Sequence, residues 1–499
     1  MSTQLTRREI LRLGAVASAA ALAGCAPKIV EVTKIVEKEK EVIKEVTKEV
    51  EKVVEKVVEK EKVVTKEVEK QVTVIVDKNA QKMAQMKGKI VWDTFRAQPG
   101  KGEWGTDRLD AFKQMYPDVA VELRPIPQTA QQDAYGKMYA MEAAGDLGDV
   151  CAFDPSHYHF WRAIDKNIIM PVDEFISADK LDLTQWFPQF LEMQKYKGKM
   201  YGLPSWGWTG YDCMVINAAI LEADGVKTPD PLKYDVSFEQ MAEWIKKYHK
   251  PGKSADTADR YGFGWAGGDA GYAVMSRWFG GDFMNPEGTK VTFRDDEKAL
   301  KGLKWCYDLV VTQKLSPVPG AITVTYDVAC AEGRIFMYHC GSLCAFNAEK
   351  AVKDAKVAKI SVILFPKRAD GKVPAQIRGG TWNVHKTSKL PLIAWEFVKN
   401  LSSKDAIIGF NLFGANTSLV RPDVLPALKS NRTVYGWFEN NLVEGMRINA
   451  PANSRGREFT DAINQYGAAL MDPKTVIPFE QGINQLADAV QKVLDTPPA

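Results

Sequence analysis

From Lys28 to about Val76 the chain consists almost entirely of Lys, Glu, Val, Ile and Thr. A run this charged presents solvated faces and builds no core of its own, so it divides the 499-residue chain into a leader before it and a folded part after it. Ile29, Val36, Ile43, Val50, Val57 and Val64 recur every seven residues, all β-branched, as at position a of a heptad. Val32, Val46 and Val53 fit position d, while Glu39, Lys60 and Glu67 interrupt it. The pattern predicts a helical stalk, roughly 70 Å long at a rise of 1.5 Å per residue. The heptads admit a dimeric coiled coil; the poor helix propensity of Val and the charged d positions equally admit an isolated, fraying helix.

The leader carries Thr6-Arg7-Arg8-Glu9-Ile10-Leu11-Arg12, a twin-arginine pattern, followed by an apolar run from Leu13 to Ala23. That run is too short to span a bilayer as a mature helix. It ends at Leu22-Ala23-Gly24-Cys25, which matches a lipoprotein cleavage box with Cys25 as the lipidated first residue. The expectation is a signal peptide over 1–24, then a lipidated Cys and stalk over 25–86. Export by this route implies folding in the cytoplasm, and the lipid implies retention at the outer face of the cytoplasmic membrane. The lipid would be the chain's sole attachment to the membrane.

The formal net charge is +3, of which Arg7, Arg8 and Arg12 against Glu9 supply +2, leaving +1 from Cys25 onward. A nearly neutral chain without a basic stripe gives no electrostatic reason to bind nucleic acid. Globular sequence starts near Lys87, and its length calls for at least two compact units. Lys89 to Asp93 and Val119 to Leu123 read as buried strands, with helical spacing from Asp107 to Tyr116 between them. Asp149 to Asp154 reads as a third strand. Strand and helix alternate, which predicts a parallel α/β sheet whose ligand lies beyond the carboxyl ends of the strands. Phe238 to Tyr248 reads as an amphipathic helix, Ile360 to Phe365 as a strand and Leu392 to Leu401 as a helix.

Between Gly198 and Asn217 the sequence GKMYGLPSWGWTGYDCMVIN sets two strand-like runs around a Gly-rich centre with two indoles. Such a centre is unsuited to a helix and reads as a passage between sheets. The series Lys197-Gly198-Lys199 to Pro204, an aromatic strand ending in Ile216-Asn217, then Ala218 to Val226, resembles the first lobe-to-lobe crossing of bacterial ABC-importer solute-binding proteins. The similarity is to the carbohydrate-binding branch that includes maltose-binding protein, and covers about Lys87 to Leu494. It implies an α/β, two-lobed, periplasmic-binding-protein-like type II fold with hinge crossings. Lobe 1 would comprise 87–207 and 366–423, and lobe 2 would comprise 208–365 and 424–499. It also implies membrane permease subunits as partners and no cofactor.

Sugars present weakly apolar faces to aromatic rings and hydroxyls to carboxylates, amides and Arg. The implied ligand set is Asp93, Phe95, Asp154, His157, Trp206, Trp208, Trp265, Trp278, Gly341, Arg378, Trp382, Asn416 and Arg455. After Gly341 the family often has an aromatic residue, where this chain has Ser342 and Leu343. Gly262, Gly264 and Gly267 give G-x-G-x-x-G spacing, but a polar loop is expected before it, which argues against a dinucleotide site. No G-x-S-x-G, H-E-x-x-H or P-loop pattern occurs, so the chain reads as a binding protein and not an enzyme. His339, Cys340 and Cys344 lack a C-x-x-C pair and read as a strand end, not metal ligands. Two alternatives stay open: a cleft for a peptide or polyamine, or a secreted glycoside hydrolase using a carboxylate pair.

Overall fold

The computed structural model describes residues 81–95, 106–127, 131–155, 158–210, 213–230, 233, 235–253, 257–265, 267–318, 321–340, 342–368, 371, 376–413, 420–424, 455–475 and 477–497. The leader with Cys25 and the expected stalk as far as residue 80 lie outside them. Contacts divide the chain into Met1–Gln85 and one unit over Met86–Ala499.

Twelve strands are described: β1 (Gly88–Thr94), β2 (Val119–Pro125), β3 (Val150–Cys151), β4 (Lys195–Tyr196), β5 (Lys199–Met200), β6 (Leu203–Gly210), β7 (Cys213–Asn217), β8 (Lys250–Pro251), β9 (Ala258–Gly264), β10 (Ile335–Cys340), β11 (Ile360–Leu364) and β12 (Gln376–Val384). They form two five-stranded sheets, in the orders β2-β1-β3-β12-β6 and β11-β7-β10-β9-β8, with β4 and β5 paired separately. In the first sheet β1 runs parallel to β2 and β3, while β12 runs antiparallel to β3 and β6. In the second, β9 and β10 are parallel and β7 is antiparallel to both β10 and β11. The fold is a two-lobed α/β arrangement, one sheet to a lobe.

Each sheet has its own core. In lobe 1, Ile90 and Trp92 project inward from β1 at the period-two spacing of a strand. Trp92 meets Trp382 and Phe397 edge to face at 5.2 and 5.1 Å. In lobe 2, the helix Phe238–Tyr248 buries Met241, Trp244, Ile245 and Tyr248, the i, i+3, i+4, i+7 stripe of an amphipathic helix. Ser237 starts it by accepting from Gln240 N at 3.1 Å. The chain passes between sheets from β6 to β7 and back from β11 to β12. Because β6 pairs with β12 and β7 with β11, the two passages lie side by side.

The G-x-G-x-x-G spacing falls differently from expectation. Gly262 and Gly264 lie within β9 and Gly267 immediately before a helix, Gly268–Arg277, so its context is the end of a strand and not a polar loop. The glycines serve packing: a Cβ on Gly262 would overlap the Ile245 carbonyl, and one on Gly264 would lie 2.9 Å from Tyr338 Cβ. Cys340 is disulfide-paired with Cys344, and Cys330 is a buried free thiol.

Asp93 is fully buried at the end of β1 and faces Arg124, its register partner on β2. Arg124 Nε donates to Oδ1 at 2.8 Å and Nη2 to Oδ2 at 2.7 Å, and Gly148 N adds a third bond at 2.6 Å. The bidentate pair fastens two strands and the loop before β3 in one place. Removing one partner strands a buried charge, so Arg124→Met should lower unfolding free energy by about 3 kcal/mol in urea denaturation. Asp93→Asn combined with Arg124→Met should recover part of that loss.

Candidate functional site

The described end of the first lobe is built on Asp154, which follows β3 and is fully buried. Tyr135 Oη donates to its Oδ2 at 2.9 Å and Trp206 Nε1 to its Oδ1 at 3.2 Å. Trp206 comes from β6, and its register partner on β12 is Gly380. A Cβ on Gly380 would overlap both Trp206 Nε1 and Asp154 Oδ1, so the indole can lie there only over a glycine. Sequence reading missed Tyr135, which sits inside a helix (Gln131–Ala143) with no local pattern to mark it.

From Tyr135 an aromatic run continues outward. Phe95 meets it edge-on at 5.4 Å, His159 stacks on it at 4.2 Å, and Tyr158 lies 4.1 Å beyond His159. Tyr139 Oη approaches His159 Nδ1 at 3.3 Å, and Arg162 sits 5.4 Å over the Tyr139 ring. Burial, with Arg162 and Arg457 nearby, pushes the His159 pKa down to about 3, so the imidazole is neutral. Burial raises the Tyr158 hydroxyl, which feels Arg457, Glu458 and Asp461. Those three residues belong to lobe 2.

Tyr158 touches lobe 2 directly. A Cβ on Gly456 would overlap the Tyr158 Cβ, so the helix Gly456–Ala462 begins against the rim of lobe 1. That helix runs on through a π turn at Ile463–Gly467 to Ala468–Leu470. At the turn Tyr272 Oη donates to Gly467 O at 2.6 Å, and the Tyr272 ring meets Trp265 edge-on at 5.0 Å. Trp265 follows β9 and is almost fully buried; its Nε1 meets no acceptor among the described residues. The same holds for Nε of Arg378 on β12, opposite Trp208.

The sequence-derived set therefore separates. Phe95, Asp154 and Trp206 gather in one cluster, and Trp265 joins it through Tyr272 and the helix from Gly456. Asp93 stands apart because Arg124 and Gly148 occupy its carboxylate. Trp382, 1% exposed, packs in the lobe 1 core against Trp92. Trp278 packs in lobe 2 on Phe365 at 4.3 Å and Trp305 at 4.9 Å. Arg455 Nε donates to the Pro497 carbonyl at 2.8 Å. His157, Gly341, Asn416 and the Trp208 side chain lie outside what is described.

A family described as bacterial extracellular solute-binding protein matches residues 107–424. The chain belongs to this family. An exported solute-binding protein is thus the setting for the geometry above. Solved structures share the fold. An ABC substrate-binding protein from Listeria monocytogenes, in complex with cycloalternan, is similar at TM-score 0.64 and 18% identity, over 81% of this chain and 99% of that one. A solute-binding protein of an ABC transporter from Thermotoga lettingae, bound with α-D-tagatose, gives 0.61 and 20% over 82% and 100%. The sugar-binding protein MalE from Xanthomonas citri gives 0.65 and 15% over 82% and 97%. In this solute-binding protein no helix of the described residues is long and apolar enough to cross a membrane.

Two outcomes follow from the cluster. Gly380→Ala should destabilise the protein by about 1–3 kcal/mol in urea denaturation, since the added methyl displaces Trp206 or Asp154. His159, with its folded pKa below the unfolded value of 6.5, stabilises fully above pH 6.5 and loses that contribution as pH falls toward 3. His159→Phe, which keeps a ring in the stack, should lose less stability than wild type between pH 7 and pH 4.

Proposed function

We propose that this protein captures a sugar or oligosaccharide between its lobes and delivers it to an ABC permease, performing no chemistry on it. The observation that carries the reading is the convergence of ring clusters from both lobes on one helix. The Phe95–Tyr135–His159–Tyr158 run approaches it from lobe 1, and Trp265–Tyr272 from lobe 2. Rings suit the weakly apolar faces of sugars. Structurally similar proteins were solved with cycloalternan, α-D-tagatose and maltose bound, which agrees with this class.

In this reading lobe 1 comprises 87–207 and 366–423, lobe 2 comprises 208–365 and 424–499, and ligand selects a closed arrangement by bending at the paired crossings. Residues 1–24 direct export, Cys25 carries the lipid, and the stalk holds the binding unit away from the outer face of the cytoplasmic membrane. Within the ligand set, Phe95, Asp154, Trp206, Trp265 and Arg378 are the residues proposed to line or brace the cleft. Trp208, His157, Gly341 and Asn416 are proposed on the resemblance alone.

A thermal-shift screen against mono- and oligosaccharides, amino acids, peptides and polyamines tests the class. A ligand at about a hundred times its dissociation constant stabilises by roughly 2.7 kcal/mol. A sugar should give that shift, Trp265→Ala should weaken it, and small-angle scattering should show compaction on addition. Shifts only with peptides or polyamines would overturn the sugar assignment. Release of reducing ends from a bound oligosaccharide would overturn the non-enzymatic one.

A further inference from the structure

We infer that Arg455 is a positioning residue for ligand capture: it ties the segment after the helix Phe479–Asp495 to the start of the helix that bridges the lobes. The inference rests on ligand capture between the lobes, as proposed above, and assigns Arg455 a role other than ligand contact.

Arg455 Nε donates to the Pro497 carbonyl at 2.8 Å, and Nη2 donates to the same oxygen. Nη1 lies 3.5 Å from Glu458 Oε1, one turn along its own helix. The guanidinium thus lies between the segment that follows the last helix and the first turn of the bridging helix. A cation shared between a carbonyl and a carboxylate forms charge-assisted bonds, stronger than those between neutral groups. The backbone of Arg455 is equally placed, since its carbonyl accepts from Phe459 N at 3.0 Å and so opens the helix.

The next residue, Gly456, is the point of contact with Tyr158 of lobe 1. The helix is rooted in lobe 2 through Phe459 and Ile463, both fully buried, and reaches Trp265 by way of Gly467 and Tyr272. A small displacement of its first turn therefore moves the contact with Tyr158 and strains the support of Trp265. Arg455 sets that first turn through Pro497 and Glu458. A first turn that frays must be ordered on binding, which costs affinity.

The test uses the full chain with Arg455→Ala, a deletion of residues 496–499, and both together. Hydrogen exchange is read on the amides of 456–462 in unliganded protein, and affinity is read by calorimetry with the sugar found in the screen. Each single change should speed exchange in 456–462 by about tenfold or more, the scale of one lost charged hydrogen bond. Affinity should fall by a similar factor. The double variant should match Arg455→Ala and fall short of the sum of the two single effects, because both changes remove the Pro497 bond while only the substitution also removes the Glu458 contact. Arg455→Lys, which keeps one charged donor, should fall between.

Exchange at wild-type rates in both single variants would overturn the inference. So would a loss of affinity in Arg455→Ala that the deletion does not reproduce, since that would put the guanidinium on the ligand. Exchange needs no ligand, so it decides the positioning role even if no sugar binds.

Discussion

The architecture depends on one pairing: β6 against β12, antiparallel from Leu203↔Trp382 to Gly210↔Gln376. Both strands belong to the lobe 1 sheet, and each continues toward lobe 2, where β7 and β11 pair in turn from Cys213↔Leu364 to Asn217↔Ile360. The chain therefore passes between lobes twice along adjacent lines. Two neighbouring strands that leave one hydrogen-bonded ladder and enter another resist twisting and shear but bend together. Such a joint favours closure about one axis, which a cleft needs if rings from two lobes are to meet a ligand in register. The same ladder holds Gly380 under Trp206, so the joint and the Asp154 cluster share a backbone.

Much of the fold was legible in sequence for physical reasons. β1 and the helix Phe238–Tyr248 show clean periods of two and of 3.6, and each appears within a residue of its expected limits. The third strand was overread: Asp149 to Asp154 is apolar enough for a strand, yet the strand is only Val150–Cys151, with Val150 paired to both β1 and β12 and Cys151 to β12. Beyond Cys151 the chain must turn to bring Asp154 to Tyr135 and Trp206, and a ladder there would prevent it. The glycine spacing at Gly262 was misplaced because Asp259 and Arg260 look like loop residues, while within β9 Asp259 is exposed and Arg260 Nε donates to the Tyr248 carbonyl at 2.8 Å.

The site was less legible because side chains of one type divide between two jobs. Asp93 and Asp154 both end strands of one sheet and look equivalent in sequence. Asp93 has Arg124 at the matching position of the neighbouring parallel strand, so its charge is neutralised inside the lobe. Asp154 accepts from Tyr135 Oη and from Trp206 Nε1, which orient its two oxygens. That difference was readable once β1 and β2 were set in register, since Arg124 then stands opposite Asp93. The tryptophans divide in the same way. Trp382 and Trp278 pack inside the two cores against Trp92 and Phe365, and the glycines near them in sequence do not distinguish them from Trp206.

His159 shows how the cluster limits its own chemistry. An imidazole stacked between two tyrosines and flanked by Arg162 and Arg457 loses its proton affinity to burial first and to those cations second. It remains neutral through the physiological range, so the ring run presents no titrating charge to whatever lies against it. Asp154 offers oriented oxygens already engaged by two donors, and the indole of Trp206 is fixed by the absence of a side chain at Gly380. The cluster is buried and aromatic, and its rings and its carboxylate are held in place by neighbours from several elements.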